Sequence, residues 1–220
     1  MTRIPHSTAE RYFRYCQFLH DRLDEGSKTV TQRELSGATG VSMEQVGRDL
    51  ANFRLKGSLK VGYQIKEFME EVYGQLESET QTKMVLVGAG NLGKAVISFL
   101  LKRRPNLAIT AAFDSDPDKT GRDFMGCQVH HMDQLEKFVA RDKTAVGIIT
   151  VPETSAQAAA DALISAGVGG ILNFAPLQLK VPPGVFLEQL DITLSVEKAA
   201  YFSRRMKKAR ELKNKRAGKK

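Results

Sequence analysis

The sequence predicts an α/β protein. An N-terminal winged helix-turn-helix with a linking helix (residues 1–78) precedes a Rossmann-type doubly wound parallel sheet (79–191), and a C-terminal helix and basic tail (192–220) close the chain. Three observations predict this. Three helix starts of one kind fall before residue 50. A strand, a glycine-rich loop and a helix follow one another between Lys83 and Phe99. Strand-like and helix-like segments then alternate as far as Leu190.

The helix starts are Ser7/Glu10, Thr31/Glu34 and Ser42/Gln45, each a hydroxyl residue with Glu or Gln three positions on, so that two side chains satisfy orphan N–H groups reciprocally. Between the second and third lies Ser36-Gly37-Ala38-Thr39-Gly40-Val41, a short turn of the kind that sets two helices at a steep angle. In the third helix Val46, Leu50 and Phe53 recur at helical spacing and face the core, which leaves Glu44, Gln45, Arg48 and Asn52 outward, on a face able to enter a major groove. Gly57-Ser58-Leu59-Lys60-Val61-Gly62-Tyr63 reads as a hairpin wing, with Arg54, Lys56, Ser58 and Lys60 as further contacts to nucleic acid, and a linking helix runs through Glu67, Phe68 and Val72. Small three-helix units also serve as protein-interaction modules, and Gly47 weakens the third helix by about 1 kcal/mol relative to Ala.

Lys83-Met84-Val85-Leu86-Val87 is a β-branched-rich strand that runs into Gly88-Ala89-Gly90-Asn91-Leu92-Gly93 and then a helix. This context makes the glycine pattern a cradle for a dinucleotide: Gly88 for the tight turn, Gly90 for approach to the pyrophosphate, and Gly93 for helix packing, with the helix N-terminus facing the anion. A second strand, Leu107 to Phe113, ends at Asp114, placed to accept ribose hydroxyls; a 2′-phosphate there would meet like charge, which favours NAD(H) over its phosphorylated form. Further strands at Thr144–Val151, Gly170–Phe174 and Val185–Leu190 bracket a helix from Glu153 to Ala166. Ligands sit beyond the carboxyl ends of such strands, so Thr150, Val151, Pro152, Asn173 and Phe174 join the expected cofactor contacts.

Charge and composition narrow the function classes. Residues 1–66 hold eleven Lys/Arg against seven Asp/Glu, residues 67–197 eleven against seventeen, and residues 198–220 eleven against one. Basic ends around an acidic middle fit a phosphate backbone as partner, double-stranded DNA foremost, although a basic tail is also a common solvated end. Apolar runs are too short for a membrane span, and residues 1–6 lack the apolar core of a secretory signal, so a cytoplasmic location is expected. Cys16 and Cys127 read as independent structural residues. No Cys/His cluster suggests a metal. None of the five tyrosines has a Lys four residues on, and His130-His131 is placed in a loop before the helix near Asp133, so no acid–base group for hydride transfer stands out. The nucleotide is expected to act as a signal and not a reagent, and catalytic residues are expected to be none.

Val87 to Gly93, Ala112-Phe113-Asp114, Asp116 to Gly121, Thr150-Val151-Pro152 and Gly169 to Pro176 form a distinctive set of stretches. By them the sequence resembles the bacterial redox-sensing transcriptional repressor Rex family, over almost its whole length. The resemblance implies a homodimer whose winged helices bind operator half-sites, NADH binding that closes the dimer and releases DNA with NAD⁺ competing, and a swapped helix from about Thr193 to Leu212 that carries Tyr201 and Phe202. Departures are equally specific. Gly47-Arg48 stands where the family has two basic residues before Asp, Ala51-Asn52-Phe53-Arg54 replaces Ser-Tyr-Phe-Gly, and Leu59 replaces the wing arginine. In the family an Arg on the first helix and a Tyr after the glycine loop compete for an Asp before the swapped helix; here Asp191 is kept, but Gln17 and Phe99 hold the other two positions. Two alternatives stand beside an NADH-responsive repressor: an NAD(H)-binding paralogue with lost or altered DNA specificity or redox response, and a small NAD-dependent oxidoreductase.

Overall fold

The computed structural model describes residues 4–58, 61–76, 81–103 and 107–217, and the chain divides into two compact units, 1–80 and 81–220. Lys60 and Leu59, at the tip of the expected wing, lie outside the described residues.

In the first unit, helix α1 (His6–Asp24) buries Tyr12, Tyr15, Cys16 and Leu19, spaced to share one face. Its N-cap is Pro5, whose carbonyl accepts from the N–H groups of Thr8 and Ala9, so Ser7 already lies inside the first turn and the expected Ser7/Glu10 reciprocal cap does not form. A short strand β1 (Thr29–Val30) leads into α2 (Gln32–Thr39). There the Thr31/Glu34 box is complete: Thr31 Oγ1 accepts from the Glu34 N–H while the Glu34 carboxylate accepts from the Thr31 N–H at 2.8 Å. Gly40, left-handed at φ 70°, ends the helix, and Ser42 caps α3 (Met43–Ala51). Strands β2 (Gly57–Ser58) and β3 (Gly62–Gln64) form an antiparallel hairpin, and β1 pairs with β3 to give the order β1-β3-β2. Helix α4 (Ile65–Gln75) follows at once. The α1, α2, α3 and hairpin order is a winged helix, closed around the rings of Tyr12, Tyr15, Phe53 and Phe68, with Tyr12–Phe53 centroids 4.9 Å apart and Phe53–Phe68 5.3 Å.

The second unit contains β4 (Thr82–Val87), α5 (Asn91–Arg103), β5 (Leu107–Asp114), β6 (Asp123–Phe124), β7 (Cys127–His131), α6 (Leu135–Asp142), β8 (Val146–Ile149), α7 (Glu153–Ser165), β9 (Gly170–Asn173), β10 (Phe186–Gln189) and α8 (Ile192–Ala217). Its sheet runs β10-β9-β8-β4-β5-β7-β6, with every neighbour parallel except the β6–β7 hairpin. Taken without β6, that is the strand order of a doubly wound dinucleotide fold, with the order reversing at β4/β8. Alternation along β4 explains the two layers. Val85 and Val87 pack with Leu135 and Val139 of α6 and the Ala156/Ala160/Leu163 face of α7, whereas Met84 and Leu86 pack with Val96 and Ile97 of α5.

One expectation is corrected here. His130 and His131 lie in β7, paired beside Phe113 and Asp114, and not in a loop. His130 packs its ring 5.6 Å from Phe113 and 5.4 Å from Phe138, so it fills space between sheet and helix. The strand is hidden in the sequence because its hairpin turn is Met125-Gly126 and not Asn-Gly. Both turn residues have positive φ, 57° and 86°, the pattern of a two-residue primed turn. Met125 is 58% exposed and so holds a left-handed conformation with little packing in return. Met125→Asn, a side chain that tolerates this conformation, is expected to raise the melting temperature by a few degrees, about 0.5–1 kcal/mol. A melt at or below that of the parent chain would contradict the strain.

Cys16 and Cys127 are each buried within their own unit, and burial pushes the Cys127 thiol up to about 11, which removes the thiolate a redox switch requires.

Candidate functional site

At the carboxyl ends of β4, β5 and β8 the second unit opens a cavity of about 770 Å³. Gly88, Gly90, Asn91 and Leu92 line one side, Asp114 to Asp116 with Lys119 the far end, and Thr150, Val151, Pro152 and Ser155 the other side. The glycines divide the work. Gly88 has φ 104°, and a Cβ there would sit 2.8 Å from the Thr150 carbonyl carbon; a Cβ on Gly93 would come 2.2 Å from the Gly88 oxygen. Around Gly90 there is nothing within 4 Å, so its side faces open space where a ligand could approach backbone. Thr150 Oγ1 donates to the Gly88 carbonyl at 2.8 Å and so fixes the loop from the neighbouring strand.

Asp114, 7% exposed, accepts from the Ala89 N–H at 2.8 Å, the Asp116 N–H at 2.9 Å and Lys119 Nζ at 3.0 Å. Burial alone would raise its pKa, but the Asp116 N–H, the Lys119 ammonium and the Ala89 N–H outweigh it and hold the carboxylate below the ordinary range. Lys119 in turn is raised, first by its hydrogen bond to Asp114. The carboxylate is therefore ionised, with acceptor capacity left over for a hydroxyl, and a single ammonium stands beside it.

Of the expected cofactor contacts, Ala89 is buried beneath the loop and offers Asp114 its N–H, and Gly93 acts through packing. Asn173 and Phe174 do not line the cavity. The fully buried Asn173 amide nitrogen reaches the carbonyl oxygens of Ala175 and Leu177 and Gln189 Oε1, its oxygen takes the Ala175 N–H, and so it shapes the loop after β9. Phe174 packs into the apolar cluster under the glycine loop with Ala89 and Ile97. Lys119, Ser155 and the small Ala158 and Ala159 of α7 line the cavity without having been singled out; the alanine run Ala158-Ala159-Ala160 was the signal that a helix there leaves room.

On the first unit, Arg48 lies 64% exposed and loosely paired with Glu44 at 3.8 Å. Arg54 and Lys56 are exposed beyond α3, and the Arg54 N–H donates to Glu71. Asn52 is the C-cap of α3 and meets the Tyr12 hydroxyl. Ser58 has its backbone in β2. Gln45 is turned inward at one atom, donating to Asp49 Oδ1 at 2.8 Å. Asp49 itself is 2% exposed and also takes Arg11 and Tyr15, a hub that the sequence reading did not identify. Of the expected switch residues, Gln17 is exposed on α1 and Phe99 is 57% exposed on α5. Asp191 caps α8, its Oδ1 accepting from the Leu194 N–H at 2.8 Å. Tyr201 and Phe202, about half exposed, stack edge to face on α8 with centroids 5.2 Å apart.

Among the described residues no group of three His, Cys, Asp or Glu could hold a metal, and no helix is long and apolar enough to cross a membrane.

A winged helix and a Rossmann unit with an anion-facing glycine cleft in one chain define the class of nucleotide-binding regulators with a DNA-binding fold. The chain belongs to the redox-sensing transcriptional repressor Rex family. It is 35% identical over 203 residues to the redox-sensing transcriptional repressor Rex of Lactobacillus gasseri, covering 91% of this chain and 94% of that one. It is 40% identical over 195 residues to the Rex of Desulfitobacterium hafniense, covering 89% and 93%. Family models match in both units, a DNA-binding protein N-terminus over residues 3–51 and a CoA binding domain over 79–177. RSP, a Rex-family repressor of known crystal structure, superposes with a TM-score of 0.82 at 30% identity, covering 96% of this chain and all of that one. RSP has also been solved with NADH, and with NAD⁺ and operator DNA, at TM-scores of 0.79 and 0.80.

Proposed function

We propose that this chain is an NADH/NAD⁺-responsive repressor that binds operator DNA as a homodimer and releases it when NADH binds. The observation that carries the reading is the cavity itself. Its glycine loop, open at Gly90, leads to an ionised Asp114, and the ionisable side chains of its lining, Asp114, Asp116 and Lys119, pair with one another at the far end. A dinucleotide held there, in a chain that also carries a winged helix, acts as a signal whose redox state is read. The dimer is supported by α8, along which Ile192, Leu194, Val196, Tyr201, Phe202 and Met206 are 44% to 64% exposed, an apolar load that a lone surface helix does not carry in water. RSP, bound to NADH in one structure and to NAD⁺ with operator DNA in another, supplies the ligands by kinship.

The test is selection of duplex DNA by the full chain in the absence of nucleotide, followed by titration of the selected complex with NADH and with NAD⁺. A selected sequence whose complex dissociates with NADH at lower concentration than with NAD⁺ is the expected result. Steady oxidation of NADH with carbonyl substrates would favour the oxidoreductase reading instead.

A second reading rests on the switch positions. Gln17 lacks the charge and Phe99 the hydroxyl that family members bring to the Asp191 position, and Asp191 is occupied in capping its own helix. A charge-assisted hydrogen bond is worth about 1.5–3 kcal/mol, so its loss shifts a two-state equilibrium by about ten-fold or more. On this reading NADH binds but lowers DNA affinity by less than ten-fold. Complete release at saturating NADH would exclude it.

A further inference from the structure

One side chain on the outward face of α3 has its chemistry oriented from within. Gln45 sits one turn before Asp49, half-buried, and its Nε2 donates to Asp49 Oδ1 at 2.8 Å. The other partners of Asp49 leave it no freedom to turn. Arg11 grips both carboxylate oxygens, Nε to Oδ2 at 2.8 Å and Nη2 to Oδ1 at 2.9 Å, and the Tyr15 hydroxyl donates to Oδ2 at 2.8 Å. Arg11 is anchored in turn on the Ser7 carbonyl and the Thr8 hydroxyl. An ionised carboxylate only accepts, so the amide nitrogen of Gln45, and never its oxygen, must face Asp49. That leaves one N–H and the carbonyl oxygen of Gln45 for a partner outside the unit, and among the described residues no hydrogen bond uses them.

A donor and an acceptor on one amide match the N7 acceptor and N6 donor that adenine presents in the major groove, and mismatch the two acceptors of guanine. A free glutamine can rotate to suit other partners. This one is held with its nitrogen inward. We infer that Gln45 is a specificity-determining residue that reads an A·T pair in each half-site, with Asp49 and Arg11 as positioning residues that fix the orientation of its amide. Arg48, on the same helix and 64% exposed, has no such constraint, its contact to Glu44 being 3.8 Å long. The inference rests on the proposed reading that α3 enters a major groove.

The experiment selects duplexes from a random library with the wild-type chain, Gln45→Met and Asp49→Asn, at one salt concentration, with thermal melts alongside. Gln45→Met keeps the length of a half-exposed side chain and is expected to melt a few degrees below wild type, since it takes one donor from Asp49 while Arg11 and Tyr15 still hold the carboxylate. It should keep the wild-type salt dependence and lose about ten-fold or more of the preference for adenine at one position per half-site. Asp49→Asn, where it folds, gives an amide that can donate to the Gln45 oxygen, so the same preference should relax with Gln45 intact. A wild-type motif reproduced unchanged by Gln45→Met overturns the inference alone. A wild-type chain that selects no sequence overturns the reading of the first unit, and the inference with it.

Discussion

Gly93→Ala is expected to abolish NADH binding and to lower the melting temperature of the second unit, whereas Gly90→Ala should weaken binding at unchanged stability. A Cβ at position 93 would lie 2.2 Å from the Gly88 oxygen and 3.0 Å from both Leu86 Cδ2 and Thr150 Oγ1. The nearest of these atoms is backbone, and it is pinned: Thr150 Oγ1 holds the Gly88 oxygen at 2.8 Å, and the Gly88 N–H donates to the Phe113 carbonyl at 2.8 Å. Relief therefore requires the loop and the start of α5 to move apart, at a cost of about 1–3 kcal/mol or more. The same movement strains the Ala89 N–H bond to Asp114, which couples the pyrophosphate end of the cavity to the ribose end. At position 90 nothing lies within 4 Å, so an added methyl group meets only the ligand. Fluorescence titration with NADH and circular dichroism melts separate the two variants. Binding by Gly93→Ala within three-fold of wild type would show that the loop tolerates the displacement.

Legibility followed the range of the interactions. The glycine loop, Asp114 and the alternation of strands and helices could be read because each is local: a turn, a strand period, a spacing of 21 residues from Gly93 to Asp114. The doubly wound parallel character of the sheet followed from the same pattern, but not its strand order or the β6–β7 hairpin. Asn173 shows the limit of placement by strand end. The rule puts a residue at the mouth of the sheet but does not say which way its amide turns, and here it turns into the loop through Leu177. Strand β7 was hidden because Cys127-Gln128-Val129-His130-His131 is short and half polar, and its turn uses Met where Asn or Gly is the usual signal. Lys119 lay within a similar stretch, but its place beside Asp114 depends on how the intervening turn folds. Asp49 stayed hidden for another reason. It falls between Val46 and Leu50, on the buried side of α3, and a charge there demands a partner that stands 38 residues away on α1.

That partner carries the last expected result: Arg11→Met should destabilise the first unit by about 3–5 kcal/mol, and Arg11→Met with Asp49→Leu by much less. The Asp49 side chain is 3% exposed and that of Arg11 20%, so removing the guanidinium leaves a buried charge with only the neutral donors of Tyr15 and Gln45. Replacing both charges removes the unpaired carboxylate and leaves only the neutral Tyr15 hydroxyl without its acceptor, a smaller cost, and the difference between the single and double variants measures the coupling. Acid adds an independent check. Burial alone would raise the pKa of Asp49, but Arg11, Tyr15 and Gln45 outweigh it and hold the carboxylate below the ordinary range. A group depressed in the folded state stabilises fully above its unfolded value, near 3.9, and that contribution is lost as pH falls through the folded one. Wild-type stability should therefore drop below about pH 4 by a component that the double variant lacks. Parallel acid profiles for the two proteins would mean that Asp49 is not the group that titrates. Because the same carboxylate orients Gln45, the double variant should fold well and still select DNA with relaxed base preference, which separates the stability of the unit from its capacity to read sequence.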